Sequence, residues 1–255
     1  MKHYLAAVLA ATLMLTACNG ASNAGNTDTD SIAADSAALA APPADPMTAP
    51  SIQPNEDGLI TLAMCPTKND YLRVEVNADK TEVNIFQGNK LFQVIADEDP
   101  FTTDGGETTA VHFMDANFDG YTDIFIGEGA PRNYSTLFLW NQENKEFNRT
   151  GPLGEPMLQG FMLHVPTKSV IEGGSASAFA YLITRSTWSA EKLRPTEELV
   201  VVNGGEEFYE EYEVSAPYTL REPESGKVIS SAQRASALPQ FWSSVLQAYE
   251  IDADR

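Results

Sequence analysis

The sequence predicts an all-β domain of antiparallel strands followed by one C-terminal helix. Apolar and polar residues alternate in short runs, as at Leu72, Val74 and Val76, and a period of two is typical of half-buried strands. Polar turns separate these runs, and only one segment near the end has the period of an amphipathic helix. Many short strands joined by polar turns favour an antiparallel meander that forms a barrel, a sandwich or a small propeller.

The first 17 residues have the anatomy of a secretory signal. A basic start is followed by the apolar segment Tyr4–Leu15 and by small residues up to Cys18. About a dozen apolar residues are too few for a transmembrane helix, which needs roughly 20. The segment Leu15-Thr16-Ala17-Cys18 resembles the bacterial lipobox. That resemblance implies removal of residues 1–17, palmitate-type acylation of Cys18, and a lipid-anchored protein on the periplasmic or cell-surface face of the cell envelope.

Residues 18–54 predict a flexible tether. The segment is rich in Ala, Ser, Asp and Pro and has no aromatic residue, so it offers too little apolar surface to offset the entropy of ordering its backbone. Residues 55–255 then predict one domain, since about 200 residues are enough for a sizeable core.

The body of the domain predicts strands in chain order. A meander covers residues 71–96, a hairpin turns near Gln142–Lys145, and a further strand covers residues 178–188. The segment Asn203-Gly204-Gly205 predicts the turn of another hairpin, and the glutamate-rich run 206–213 then predicts a strand with an exposed charged side.

The C-terminal helix is predicted over about 238–250. Pro239 suits the first turn of a helix, and apolar residues recur on one face at helical spacing. Those residues are Leu238, Phe241, Val245, Leu246 and Tyr249.

Net charge and cysteine usage restrict the partners. The formal charge of −20 disfavours nucleic acid and anionic lipid surfaces, and it suits either simple solubility or a basic protein partner. If Cys18 carries lipid, Cys65 has no second cysteine in the chain with which to form a disulfide, and its apolar neighbours predict a buried structural thiol.

The nonapeptide Asp115-Ala116-Asn117-Phe118-Asp119-Gly120-Tyr121-Thr122-Asp123 predicts a calcium site. Ca²⁺ takes six to eight oxygen ligands, whereas Mg²⁺ demands a compact octahedron and retains its waters. A tight loop can direct alternate side chains inward, and a glycine at the sixth position permits the sharp turn. The candidate ligands are Asp115, Asn117, Asp119, the carbonyl of Tyr121, and Asp123. The alternative is a polar turn that caps itself through side-chain hydrogen bonds.

The flanks of this loop have strand composition, and Ile126 occupies the position at which an EF-hand carries glutamate. The loop and the following segment Ile124–Pro131 resemble the FG-GAP or VCBS repeat of calcium-bearing β-propeller blades. The resemblance implies that calcium stiffens a blade-like unit without performing chemistry. One such repeat is visible in the sequence.

A second, looser resemblance links the chain to calcium-binding periplasmic proteins related to inhibitors of invertebrate-type lysozyme. It includes the acidic repeat and the segment Ser177-Ala178-Phe179-Ala180-Tyr181. In that group a Ser-Gly-x-x-Tyr loop enters the lysozyme cleft, which implies an inhibitory loop at Ser177 and Tyr181. Alanine replaces the glycine here, and a location of both residues within strands is the alternative.

The sequence favours a binding protein over an enzyme. Beyond the predicted signal only His112 and His164 remain as histidines, and no recognised catalytic motif accompanies them. The first hypothesis is therefore a lipid-anchored, calcium-stabilised module that binds a protein or a glycan. The alternatives are an inhibitor of a peptidoglycan-cleaving lysozyme and a carbohydrate-active enzyme, which would need a pair of carboxylates at catalytic separation.

Overall fold

The protein was analysed as a computed structural model, which describes residues 47–61, 72–97, 110–127, 134–190 except 151–156, and 192–251. The predicted signal, the lipidation site Cys18, most of the tether and Cys65 lie outside the described residues. The predicted fold class is confirmed, because the described strands form antiparallel sheets and a helix lies near the C-terminus.

Three antiparallel sheets make up the domain, and none of them closes on itself over the described strands. The three-stranded sheet contains β2 (Leu72–Val76), β3 (Glu82–Gln87) and β4 (Lys90–Ala96). The five-stranded sheet contains β5 (Ala110–Met114), β6 (Asp123–Gly127), β7 (Tyr134–Asn141), β8 (Glu146–Thr150) and β9 (Met157–Gln159).

The seven-stranded sheet contains β1 (Leu59–Thr61), β10 (Met162–His164), β11 (Ser169–Ser177), β12 (Ala180–Ser189), β13 (Lys192–Val202), β14 (Tyr218–Arg221) and β15 (Val228–Ala232). Its strands follow one another in space in chain order, except that β1 pairs with β10 across more than a hundred residues. Helix α1 spans Gln240–Ala248. Within the described part of the chain no helix is long and apolar enough to cross a membrane.

The layers are held together by separate apolar clusters. The five-stranded sheet packs one face against the three-stranded sheet, where Phe113 and Ile124 meet Val83. Its other face packs against the seven-stranded sheet, where Phe125 meets Val170. Two-sided burial explains why strand β6 is buried along its whole length, since both alternating faces of the strand meet a neighbouring sheet.

The far face of the seven-stranded sheet is covered by helix α1. Trp242, Val245 and Leu246 of the helix pack against sheet residues such as Leu199 and Ile183. The apolar face that the sequence predicts therefore supplies the contact, and the helix is shorter than the predicted 238–250 at both ends. Pro239 precedes its first residue as the N-cap.

Two boundaries differ from the sequence prediction. Residues 47–54, which the sequence assigns to the tether, lie against the domain: Met47 is buried in one cluster and Ile52 packs against another. The run 206–213 is not a strand, because Glu206–Phe208 forms a 3-10 helix and turns follow it. Phe208 and Tyr212 of this run pack against the sheet, and this packing replaces strand pairing.

One buried histidine lies within the five-stranded sheet. His112 on β5 pairs with Phe125 on β6, and directly opposed residues share a face of the sheet. Within the described residues neither ring nitrogen has a hydrogen-bond partner. Burial lowers the pKa of His112 below 6.5, so the imidazole is held in its neutral form and has the character of a packing residue.

We expect a pH effect on stability from this histidine. A folded-state pKa below the ordinary value means that protonation favours the unfolded chain. The folded state is therefore most stable above about pH 6.5 and loses stability as the pH falls below it. In thermal denaturation followed by circular dichroism, a His112→Leu variant should lose less melting temperature than the wild type between about pH 7.5 and pH 5.5. Parallel curves for the two proteins would contradict this, because His164, whose pKa is also lowered, is unchanged in both.

Candidate metal loop and binding surface

The acidic nonapeptide forms the connection between β5 and β6, as the predicted strand–loop–strand arrangement requires. Two of its residues have left-handed backbone, Phe118 with φ of 62° and Gly120 with φ of 89°. Glycine adopts this conformation without steric cost, whereas a phenylalanine does not. Phe118 packs against the cluster between the five- and seven-stranded sheets, and that contact offsets the backbone cost.

The structure brings Asp115, Asn117 and Asp119 together around the backbone amides of the loop. The Asp119 amide donates to Asp115 Oδ1 at 2.8 Å and to Asn117 Oδ1 at 3.1 Å. The Gly120 amide donates to Asp115 Oδ2 at 2.9 Å, and the Tyr121 amide donates to Asp119 Oδ1 at 2.9 Å. Two oxygens that accept from one amide must lie close together, so the predicted convergence of these side chains is present.

Asp123 has a different environment from the other acidic residues. It is completely buried, its Oδ2 accepts from the Ala116 amide at 2.8 Å, and its Oδ1 accepts from the Trp140 amide at 2.8 Å. Burial raises the pKa of Asp123 well above its usual range, and the two amide hydrogen bonds act in the opposite direction. The carboxylate therefore joins the start of the loop to strand β7.

A proton is also favoured, to a smaller extent, on Asp115. Burial raises the pKa of Asp115, and the nearby Asp119 carboxylate adds to this, while amide hydrogen bonds from the loop oppose it. Both raised pKa values have the same origin, since carboxylates gathered in a low-dielectric loop disfavour negative charge. A cation would relieve that cost.

The donor types suit a hard cation, although in the described part of the chain no three His, Cys, Asp or Glu side chains are arranged to hold a metal by themselves. An ionised carboxylate has about four lone-pair sites, and an amide oxygen has two. The printed hydrogen bonds use only part of that capacity on Asp115, Asn117 and Asp119. These three side chains, with backbone carbonyls, fit Ca²⁺, whereas Asp123 serves first to hold the loop in place.

Tyr121, the predicted carbonyl ligand, lies next to a chain segment that the sequence analysis did not connect with the loop. It forms an isolated antiparallel bridge with Thr48, and its ring packs against the cluster between the three- and five-stranded sheets. The only sequence signal for this contact is Met47, an apolar residue at the end of a segment of small and polar residues.

The candidate inhibitory residues Ser177 and Tyr181 lie in neighbouring strands rather than in one loop. Ser177 ends β11 and accepts a hydrogen bond from Tyr212 at 2.7 Å. Tyr181 belongs to β12 and packs towards the cluster that includes helix α1, whereas Tyr212 packs against a different cluster. The two side chains therefore belong to different packing environments.

The tip of this hairpin carries an exposed aromatic stack. Phe179 is 45% exposed, and its ring stacks on Phe208 with centroids 4.3 Å apart and an interplanar angle of 25°. Gly204 makes this approach possible, because a Cβ there would lie 2.5 Å from the Phe208 ring. The Asn203 amide also donates to the Phe179 carbonyl at 2.8 Å.

Five exposed glutamates lie in the chain segment that contains Phe208. They are Glu206, Glu207, Glu210, Glu211 and Glu213. Over the described residues none of them forms an ion pair, and the nearby Arg221 is paired with Glu198 at 2.6 Å. We call Phe179, Phe208 and these glutamates the Phe179 surface. Sequence analysis noticed its charges but not its aromatic stack, which depends on pairing of distant segments.

His164, the other candidate histidine, belongs to a polar network beside helix α1. Its Nδ1 lies 2.5 Å from Thr167 Oγ1, which in turn lies 2.7 Å from Ser169 Oγ. The ring also contacts Phe241 edge-on at 4.8 Å. Burial and the Arg185 charge lower the pKa of His164. The side chain is thus held by its neighbours at the junction of sheet and helix.

Comparisons with known proteins leave the family open. No family model matches the chain, and no curated protein matches it. Among solved structures, one described as a type IV secretion system related protein from Xanthomonas is similar, with 13% identity and a TM-score of 0.41. The match covers 72% of this chain and 98% of that chain. A likeness at this level does not identify a family or a function.

We expect Asp123→Asn to destabilise the domain without any change of surface. Asparagine offers one acceptor oxygen and an amino group, so one of the two backbone amides would face a donor. An unsatisfied buried group costs about 1–3 kcal/mol, and urea denaturation in excess chelator should show a loss of that size. Asp79→Asn is the control, since Asp79 is exposed in a turn and should change stability by less than about 0.5 kcal/mol. Equal stability of the two variants would contradict this role of Asp123.

Proposed function

We propose that this protein is a lipid-anchored binding module of the bacterial cell envelope, with a β domain stabilised by calcium and a surface that recognises a basic protein. The anchor is Cys18, in the segment that resembles a lipobox. The proposed role is binding rather than catalysis. The convergence of Asp115, Asn117 and Asp119 is the observation that supports the metal, and the Phe179 surface supports the partner.

Calcium at the loop would stabilise the core through strand β6. The loop ends at Asp123, the first residue of β6, and this strand is buried between two sheets. A cation held by Asp115, Asn117, Asp119 and the Tyr121 carbonyl would fix the loop conformation from which β6 begins. Ligands that bind only the folded state add to its stability by mass action.

We expect calcium to raise the melting temperature of the protein. At a concentration one hundred times its dissociation constant, a ligand contributes about 2.7 kcal/mol, which corresponds to roughly 5–10 °C for a domain of this size. Asp115→Ala and Asp119→Ala should each abolish the gain, and Asp79→Ala should preserve it. Magnesium should give a smaller gain because it needs stricter geometry. The metal proposal fails if the wild type melts at one temperature in calcium and in chelator.

The Phe179 surface favours a cationic partner for two physical reasons. Uncompensated glutamates create a negative potential that attracts a basic protein and accelerates its association. The exposed Phe179 ring can also accept an arginine or lysine, because the face of an aromatic ring attracts cations and packs against their alkyl stems. Exposed aromatic rings can also stack on sugar rings, so a glycan is the alternative ligand.

Basic lysozymes are suitable probes of this surface. In titration calorimetry at low salt, Phe179→Ala and the double variant Glu206→Gln with Glu207→Gln should each weaken binding about tenfold, equivalent to about 1.4 kcal/mol. The matched controls are Val228→Ala, which truncates a side chain that is 47% exposed elsewhere, and Glu143→Gln. Unchanged affinity in both surface variants, with binding otherwise detected, would place the partner at another surface; no binding to any basic protein would exclude the class.

Inhibition of a peptidoglycan-cleaving lysozyme is a narrower form of the same proposal. Ser177 ends at the tip that carries Phe179, so the segment that resembles the inhibitory loop adjoins the acidic surface. Adding the protein to lysozyme assays distinguishes the two forms: loss of turnover supports inhibition, whereas binding with full turnover supports a module that only captures its partner. Glycan binding would instead appear as competition by peptidoglycan fragments.

A further inference from the structure

A short segment at the start of the described chain is attached to the second half of the acidic loop. We call Met47–Ala49 the strap. The Ala49 amide donates to the Gly120 carbonyl at 3.2 Å, and the Thr122 amide donates to the Met47 carbonyl at 2.8 Å. Between these two bonds lies the antiparallel bridge of Thr48 with Tyr121. The strap is therefore an additional piece of strand alongside the loop.

The strap is held by more than its backbone. Met47 is only 7% exposed and lies in the same cluster as Ile126 and Trp140. The hydroxyl of Thr122, a fully buried residue, donates to the Thr48 carbonyl at 2.9 Å. A buried side chain and a buried hydroxyl fix the register of the strap against the loop, because a shift of one residue would expose Met47.

The hydrogen-bond pattern determines which way Tyr121 faces. In an antiparallel pair the bonds alternate, so a residue whose neighbours are bonded to the partner directs its own amide and carbonyl to the opposite side. Gly120 and Thr122 bond to the strap. The Tyr121 amide accordingly faces away from it and donates to Asp119 Oδ1 at 2.9 Å. The Tyr121 carbonyl, on the same side as its amide, faces the acidic side chains.

We propose that the strap is a positioning element of the metal loop: it holds the Tyr121 carbonyl toward Asp115 and Asp119 and so raises the affinity for calcium. This inference rests on the proposed calcium site. Energetic coupling between two sites is reciprocal. Calcium therefore strengthens the attachment of the strap by the same factor, and the metal fixes the point at which the predicted tether leaves the domain.

The test uses the full lipidated protein in detergent, with calcium as the probe. Ala49→Pro removes the amide that bonds to Gly120, because proline has no N–H, and it should weaken calcium binding in calorimetry by about five- to tenfold, the equivalent of one hydrogen bond. Ser51→Pro is the matched control, since it stiffens the same segment without removing a bond from the loop; it should bind calcium like the wild type.

Thr122→Val is a second variant that preserves every backbone amide and removes only the hydroxyl bond to the strap. It should weaken calcium binding by a smaller factor than Ala49→Pro, and it applies if the proline variant does not fold. Hydrogen exchange gives an independent measurement: the amides of Ala49 and Thr122 should exchange more slowly in calcium than in chelator.

The outcomes separate the two proposals. If Ala49→Pro and Thr122→Val both bind calcium with wild-type affinity, the strap is not a positioning element, although the calcium site stands. If the amides of Ala49 and Thr122 exchange at one rate with and without bound calcium, the reciprocal coupling is refuted. If the wild-type protein binds no calcium, the proposed metal function fails and the inference fails with it.

Discussion

Strand β6 lies between two sheets, and the carboxylate of its first residue has no contact with solvent. Asp123 accepts amides from Ala116 at the start of the loop and from Trp140 on the neighbouring strand β7. Both acceptor oxygens are thereby used inside the core, where an unpaired carboxylate would be costly. The middle layer of the domain and the conformation of the loop consequently depend on one another, because neither amide has this acceptor unless both are in place.

The negative charge of the chain serves at least two different purposes. Asp115, Asn117 and Asp119 face inward around loop amides, in an environment where burial raises the pKa of Asp115. The glutamates of the Phe179 surface face solvent, where charges are screened and individually contribute little to stability. Composition alone does not separate these groups. The first group influences the folded state, and the second influences what approaches the protein.

Local patterns in the sequence predicted local structure well. Alternation of apolar residues located β2, β3, β4 and β12, and the spacing of oxygen-bearing residues located a loop between two strands. The prediction failed where distant segments decide the outcome. Residues 206–213 were expected to pair as a strand, yet their aromatic residues pack onto the sheet. Periodicity identifies which faces are apolar, but it carries no information about which distant segment will cover them.

For the same reason the strap could not be predicted. One methionine in a polar segment gives no sign of its partner, whereas the loop that receives it was recognisable from its own residues. Pairing of β1 with β10 is a similar case, since three residues of strand are too short to specify a partner that is remote in sequence. The candidate site was therefore predictable in its ligand types and not in the element that holds them.

The metal loop and the Phe179 surface lie at opposite ends of strand β12. Trp188, near the end of that strand, donates from its indole to the Ala116 carbonyl of the loop at 2.8 Å, whereas Ala180 at its start adjoins Phe179. A rise of about 3.3 Å per residue places roughly 27 Å between these two points. A cation in the loop is too distant to contact a partner at the Phe179 surface. Its effect on binding must pass through the stability of the sheet, which is the role expected of a structural ion rather than a recognition element.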